Sequence, residues 1–398
     1  MAESGSILPA DVTTIEDEAF RGVPIRDLRL PDGLCYIGSK AFAYTGLETV
    51  YIPKSVQYIE PDAFEGCDHL VPTVYTDSYA DQWCKDNHMA TWSIVGLGVD
   101  AHTQNEIRAF VSAHPAETSS STTYRRSPTV DPYVPGLISE ESTQNAINML
   151  NQIRYIAGLN ADVINDPSKE EMLAAAAMAN GLNGNLSHYP ERPSVWSDSI
   201  YDDLYDLACA GAGSSNLSAG RVNLAANILM GYMYDSTISN IDRVGHRRWI
   251  LNPSMGKTAF GYCYFSNSMY GAYSGMYAFD RSGSGRQAPV AWPAQQTPVS
   301  YFYNSSSYAW SVSFGYRLSE SDIHVTVTRV SDGKVWKFES DQADGDFYVN
   351  NDGYGMTGCV IFRPAGIGTI SAGDHFTVAI TNDANRTILQ YEVSFFDL

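Results

Sequence analysis

Residues 8–22 read LPADVTTIEDEAFRG, residues 30–44 read LPDGLCYIGSKAFAY, and residues 52–67 read IPKSVQYIEPDAFEGC. Pro9, Pro31 and Pro53 fall in step, as do Ile15, Ile37 and Ile59, and then Ala19-Phe20, Ala41-Phe42 and Ala63-Phe64. The step is 22 residues (42 − 20 and 64 − 42). An alternating pair precedes each new proline, first Leu28 and Leu30, then Val50 and Ile52, and reads as a short strand. A fixed period with one strand and one recurring apolar set is the pattern of a solenoid. No unit this short can bury its own apolar face, so each phenylalanine must stack on its counterpart in the next coil.

The wording of the repeat resembles the leucine-rich repeat of bacterial surface antigens. Directly after it, Asp77 to Asp86 reads as a short helix with Tyr79, Ala80, Trp83 and Cys84 on one face. Such a helix would cap the apolar layer that the last coil leaves open. The array is short, the size of a compact attachment module or of a piece cut from a longer solenoid.

Composition narrows the class of protein. A chain of 398 residues carries two to four domains. Its 44% hydrophobic and 18% charged residues describe folded material. The net charge of −20 repels nucleic acid and anionic lipid, so neither is expected as a partner. Tyrosine, with 26 residues against 15 phenylalanines, suits contact surfaces and sheet faces. The six cysteines have no CxxC or metal-ligand spacing and read as free, mostly buried, small apolar residues. No stretch of about 18 apolar residues is present to span a membrane. Met1 to Ser6 lacks a basic and an apolar region, so the expectation is a secreted or cell-surface protein whose signal peptide has been removed.

Beyond the repeats, residues 116–135 are rich in Ser, Thr and Pro and read as a linker or an extended wrap-around segment. Helical patterns follow over Ser142 to Leu159, Ser168 to Leu182 and Arg221 to Tyr234, after a shorter one over Thr103 to Ala113. Period-two alternation then takes over, in Ile323-x-Val325-x-Val327, Phe347-x-Val349 and Phe376-x-Val378. The expected division is a solenoid with helical cap over 1–95, a linker over 96–135, a helical domain over 136–265 and an antiparallel β-sandwich over 266–398.

The candidate chemistry lies in the helical domain. LNQIRYIAGLNADV opens it, LSHYPER supplies His188 and Arg192, SSNLSAG contains Ser215, YMYDS contains Asp235, GHRRWILNP carries His246, and TAFGYCYF follows. Together these motifs over residues 142–262 resemble the CAP superfamily of cysteine-rich secretory proteins, antigen 5 and pathogenesis-related proteins. The resemblance implies a three-layer α-β-α domain whose cleft holds two histidines and two acids. Ser215 stands where the family has its first cleft glutamate, and Asp235 is the candidate for the second acid. Some members bind zinc through the histidines, others bind sterols, lipids or peptides, and the superfamily has no general catalytic activity.

The residues by themselves allow three arrangements. Two imidazoles and one carboxylate could hold Zn²⁺ and leave a position open to water. The histidines could instead hydrogen-bond helix ends. Ser215, His246 and Asp235 are also the types of a nucleophile, base and orienter, but no Gly-x-Ser-x-Gly elbow exposes the serine. With serine replacing a glutamate, zinc would bind weakly and no cofactor is required.

Other stretches read as structure. Arg281 to Arg286 is a turn lacking a P-loop lysine, and Asp341 to Asp346 is a solvated hairpin lacking the closing glutamate of a calcium loop. Trp292, Tyr301, Phe302, Tyr303 and Trp310 read as sandwich core and sheet face.

The expectation is therefore a multidomain α+β protein: leucine-rich solenoid, CAP domain and C-terminal β-sandwich. Its expected function is that of an exported bacterial interaction protein, not an enzyme, binding a protein, glycan or lipid ligand at the solenoid and cleft. The alternative is a zinc-dependent hydrolase working at the same cleft. His188 and His246 are expected to face one another across a solvent-accessible groove lined by Ser215 and Asp235.

Overall fold

The computed structural model describes residues 6–9, 11–31, 33–94, 96–97, 101–285, 289–383 and 387–398. Arg286, the end of the turn singled out above, lies outside them. The chain divides into two compact units, residues 1–97 with 379–391, and residues 98–378 with 392–398. No described helix is long and apolar enough to cross a membrane.

The first unit carries the 22-residue period into three dimensions. Two stacks of short parallel strands run along it. One contains Asp27–Arg29, Thr49–Tyr51 and Val71–Tyr75, and the other contains Thr14–Ile15, Tyr36–Ile37 and Tyr58–Ile59. Register equals the repeat, with Ile15 opposite Ile37 and Ile37 opposite Ile59. Phe42 is fully buried between Phe20 and Phe64, at ring separations of 5.3 and 5.4 Å. Phe20, in the first of these coils, is only partly covered. Helix α1, Tyr79–Asp86, begins at the Ser78 cap and sets Trp83 edge-on against Phe64 at 5.9 Å. Ala80, Trp83 and Cys84 are buried there, so the helix closes the apolar layer as its spacing predicts.

One backbone position repeats as well. Residues 22, 44 and 66 all adopt positive φ, as Gly, Tyr and Gly. A side chain at Gly66 would strike the Tyr44 ring at 2.4 Å, so the tyrosine in the second coil requires glycine in the third.

The second unit begins with helix α2, Gln104–Ala113, closed at its start by a Thr103–Glu106 capping box. Residues 116–135 then run as extended chain held at several points. Thr122 donates to the Val222 carbonyl, and Arg125 and Arg126 pair with Glu170 and Glu171. Those glutamates open helix α4, Glu170–Asn183, where the helix dipole also favours them. Helix α3, Glu140–Ile156, starts earlier than its apolar stripe suggests because Ser139 caps it. Helix α5 is Asp202–Gly213. The expected long helix from Arg221 is instead a short α6, Leu224–Asn227, running into a π-helical turn over Ile228–Tyr232. Asn223 caps α6 through Ala226, which leaves Arg221 and Val222 outside.

A three-stranded antiparallel sheet sits among these helices, in the order Ser215–Ala219, Ala272–Tyr277, Phe260–Tyr264. Leu217 packs with Ala176 of α4 and Ala212 of α5. Its strand neighbour Ser218 and the facing Ser274 bond Asn227 of α6 instead. Alternation along one strand thus points to helices on both sides. The approach to α4 is close. A side chain at Gly261 would meet the Leu173 carbonyl at 2.1 Å, and the run Ala174–Ala179 is buried throughout.

The remainder is strand. Val290–Trp292, Trp310–Ser313, Cys359–Pro364 and Gly345–Asn350 form one antiparallel sheet, and a five-stranded sheet follows the order Gln296–Pro298, Thr387–Phe396, His375–Thr381, His324–Arg329, Val335–Phe338. Trp310 of the first sheet meets Phe376 and Phe395 of the second at 5.4 and 6.3 Å. Trp292, Tyr301, Phe302 and Trp310 are buried, and Tyr303 is half-buried. The cysteines form no disulfide, and Cys67, Cys84, Cys263 and Cys359 are buried.

Candidate functional site

His188, Ser215 and His246 line one cleft of about 300 Å³ in the second unit. Each histidine arrives by a different local device. His188 follows the left-handed Gly184 that ends α4. Buried Asn180 clamps the intervening loop, accepting from the Ser187 amide at 2.8 Å and donating to its carbonyl at 3.3 Å. The His188 ring then directs Nδ1 at the Ala212 carbonyl, 2.9 Å away, near the end of α5.

His246 lies in the first turn of helix α7, Gly245–Ile250. Val244, at its N-cap, offers no capping side chain and adopts φ of 40°. Asp235 supplies the missing cap from eleven residues upstream. Its Oδ2 accepts from the amides of His246 and Arg247 at 2.9 and 3.4 Å, and its Oδ1 accepts from His246 Nδ1 at 2.9 Å. The Asp235 side chain is 1% exposed and the His246 side chain 22%. Asp235 therefore stands behind His246 and is not among the residues lining the cleft.

These bonds decide the tautomers. A carbonyl and a carboxylate can only accept, so both imidazoles carry their proton on Nδ1. The Nε2 atoms of both rings are left as acceptors. Ser215 is buried, and its hydroxyl donates to the Gly211 carbonyl at 2.5 Å rather than to either imidazole. That arrangement is not an activated nucleophile, which needs its proton aimed at the base.

The donor set also bears on zinc. A firm site takes three or four protein ligands. Here the cleft offers two imidazole nitrogens, the serine hydroxyl is committed, and the carboxylate is sequestered by three donors. Among the described residues no three His, Cys, Asp or Glu side chains come together as a metal-holding group. The residues present do not fit a three-ligand zinc centre.

The two arginines of the same motif anchor it. Arg247 is fully buried and donates to the carbonyls of Met233, Tyr234 and Ala309 and to the Ser311 hydroxyl, at 2.7 to 3.0 Å. Burial pulls its pKa down, an effect opposed by Tyr308 and Asp235. Arg248 reaches Asn350 at 2.6 Å and the carbonyls of Asp352 and Met356. Arg154 of α3 holds the end of the motif through the carbonyls of Ile250, Asn252 and Met255, and desolvation lowers its pKa to about 10. The helix that presents His246 is thus bolted to α3 and to the strand-rich part of the unit.

The cleft has a second wall that the motifs did not announce. Trp249, Phe279 and Tyr354 line it, with Trp249 4.9 Å from Phe279 and 6.5 Å from Tyr354. Tyr189 stands at the mouth, 88% exposed. Trp249 was within reach of sequence reasoning, since it lies three residues after His246 on one helix and so faces the same way. Phe279 and Tyr354 carry no such mark. Gly245 admits Tyr354, whose ring would lie 2.9 Å from any side chain there.

Residues 4–79 match the family described as BspA type leucine rich repeat region, in six copies. The N-terminal region is therefore a bacterial-type leucine-rich repeat, joined to a mixed α/β remainder rich in sheets. No curated protein matches the chain.

Proposed function

We propose that this is an exported bacterial binding protein in which a leucine-rich solenoid is joined to a CAP domain and a C-terminal β-sandwich. The BspA-type repeat supports an interaction role at or beyond the cell surface. The helices on both sides of the three-stranded sheet support the CAP reading, and the aromatic contacts between the two larger sheets support the sandwich. The CAP cleft is the recognition site of the second unit, and it needs no metal. One observation carries this reading: two imidazoles, each fixed by its Nδ1, open their Nε2 acceptors onto a cleft with an aromatic wall and no activated nucleophile.

A zinc-independent or zinc-assisted hydrolase is the second reading, favoured by the Asp235–His246 pair, which has the form of an oriented general base. Incubation of the protein with peptide and ester substrates, with and without Zn²⁺, separates the two. The binding reading expects no turnover. Turnover lost in both His188→Ala and His246→Ala would replace it with the hydrolase. Calorimetric titration with Zn²⁺ is expected to show no submicromolar binding.

A further inference from the structure

The chain is strongly acidic, yet the lining of the cleft contains no Asp or Glu. The carboxylate nearest the histidines, Asp235, is held behind the His246 ring with all its acceptors engaged. The charged side chain in the lining is Arg243. Its partners are its neighbour Asp242 at 2.8 Å and Asn240 at 2.9 Å, and both members of the ion pair are substantially exposed. Such a pair is weak in water and leaves the guanidinium able to take a second carboxylate. A further guanidinium, that of Arg281, stands 5.9 Å over the Trp249 ring. In a molecule of net charge −20, a cleft purged of carboxylates and edged by arginines is complementary to an anion.

The remaining lining restricts what kind of anion. Phe279 is 47% exposed and Tyr189 88%, large apolar faces left in contact with water beside Trp249. They await an apolar ring face or its equivalent. The two Nε2 atoms accept only, so the ligand must bring hydroxyl or amide protons. Asn216 and Asn240 add amide groups to the lining, although Asn216 already spends a donor on the His246 carbonyl. A ring with an apolar face, several hydroxyls on its edge and one carboxylate meets every one of these demands. A cleft of about 300 Å³ holds one or two such rings and is far too small for a folded partner. We propose that the cleft binds an acidic saccharide, with the sugar face on Phe279 and Trp249, hydroxyls on His188 and His246, and the carboxylate on Arg243.

This rests on the recognition-cleft reading, and the test keeps the two separable. The full chain is titrated by calorimetry with short oligosaccharides of galacturonate, glucuronate and N-acetylneuraminate, each beside its methyl ester. Esterification removes the charge and preserves the ring. At least one acid is expected to bind tenfold or more tightly than its own ester. Arg243→Ala is expected to abolish that preference while sparing the ester, whereas Phe279→Ala weakens acid and ester alike by about tenfold. Both side chains are partly solvent-exposed, and unchanged thermal melting of the variants verifies the fold. Absence of binding by all three acids, equal binding of acid and ester, or an acid preference that survives Arg243→Ala overturns the proposal. Tighter binding of a peptide carboxylate series with the same Arg243 and Phe279 dependence also overturns it, and leaves the recognition cleft standing. Breakdown of any oligosaccharide during titration, lost in His246→Ala, defeats the recognition-cleft reading itself.

Discussion

The solenoid and the cleft solve the same problem, placing side chains against one another, by opposite means. In the solenoid, Phe42 meets Phe20 and Phe64 because the chain returns to the same place every 22 residues. Position in the repeat dictates position in space, and one coil predicts the next. In the cleft, His188, His246 and Tyr354 come from a loop after α4, the start of α7 and a turn between strands. Nothing periodic relates them. They meet because buried polar groups, Asn180, Asp235, Arg247 and Arg248, fix each segment separately. A repeat distributes its contacts over equivalent layers, whereas a converged site depends on a few anchors that have no substitutes.

Perturbing one anchor should therefore cost as much as perturbing a whole layer. Arg247→Ala deletes four bonds and leaves Asp235 buried near no cation, and is expected to destabilise the second unit by about 3–5 kcal/mol in urea denaturation. Arg247→Lys should recover only part, because one ammonium cannot reach carbonyls on both sides as the guanidinium does. Recovery in full would show that the charge alone, not the fork, secures the motif.

Within the solenoid, equivalent positions should differ only by how completely they are covered. Phe42→Ala is expected to cost roughly 3–5 kcal/mol, as for a fully buried aromatic ring. Phe20→Ala, at the same place in a partly covered coil, should cost roughly 1–2 kcal/mol by the smaller area it buries. Equal losses on chemical denaturation would break the layer-by-layer account.

A smaller effect sharpens the converged side. Asp235→Asn keeps the shape but removes the acceptor that orients His246, and a loss of about 1–3 kcal/mol is expected. The ¹⁵N shifts of the His246 ring should also move away from a single Nδ1–H form. An unchanged ring spectrum would mean that the fold holds the imidazole without the carboxylate.

The smallest expected effects are local. Burial raises the thiol pKa of Cys84 and of Cys263 to about 12, one in each unit. Neither should react with a thiol reagent at pH 8 before unfolding, while the partly exposed Cys35 and Cys209 should. Glu117 sits at the surface of the second unit, where bonds from Ser120 and Ser119 lower its carboxyl pKa to about 2. A depressed folded-state pKa stabilises the fold above the ordinary carboxylate range. Its contribution should vanish as pH falls from about 4.5 towards 2, and an NMR titration of Glu117 reads the midpoint directly.

Sequence alone determined the solenoid, its period, the stacked phenylalanines and the capping helix, because local repetition leaves the chain one way to bury its apolar face. It also marked His188, Ser215, Asp235 and His246 as residues worth following, since polar groups in apolar helical surroundings need partners. What it could not contain is the direction each of them faces. Asp235 is of the right type to line a cleft, but the bare amides at the start of α7 and the Nδ1 of His246 draw its carboxylate inward. Tertiary structure made that choice, turned the Ser215 hydroxyl to Gly211, and brought Phe279 and Tyr354 to the opposite wall. Such contacts join segments as much as a hundred residues apart. They are settled by the competition among buried polar groups for partners, and that competition exists only once the chain has folded.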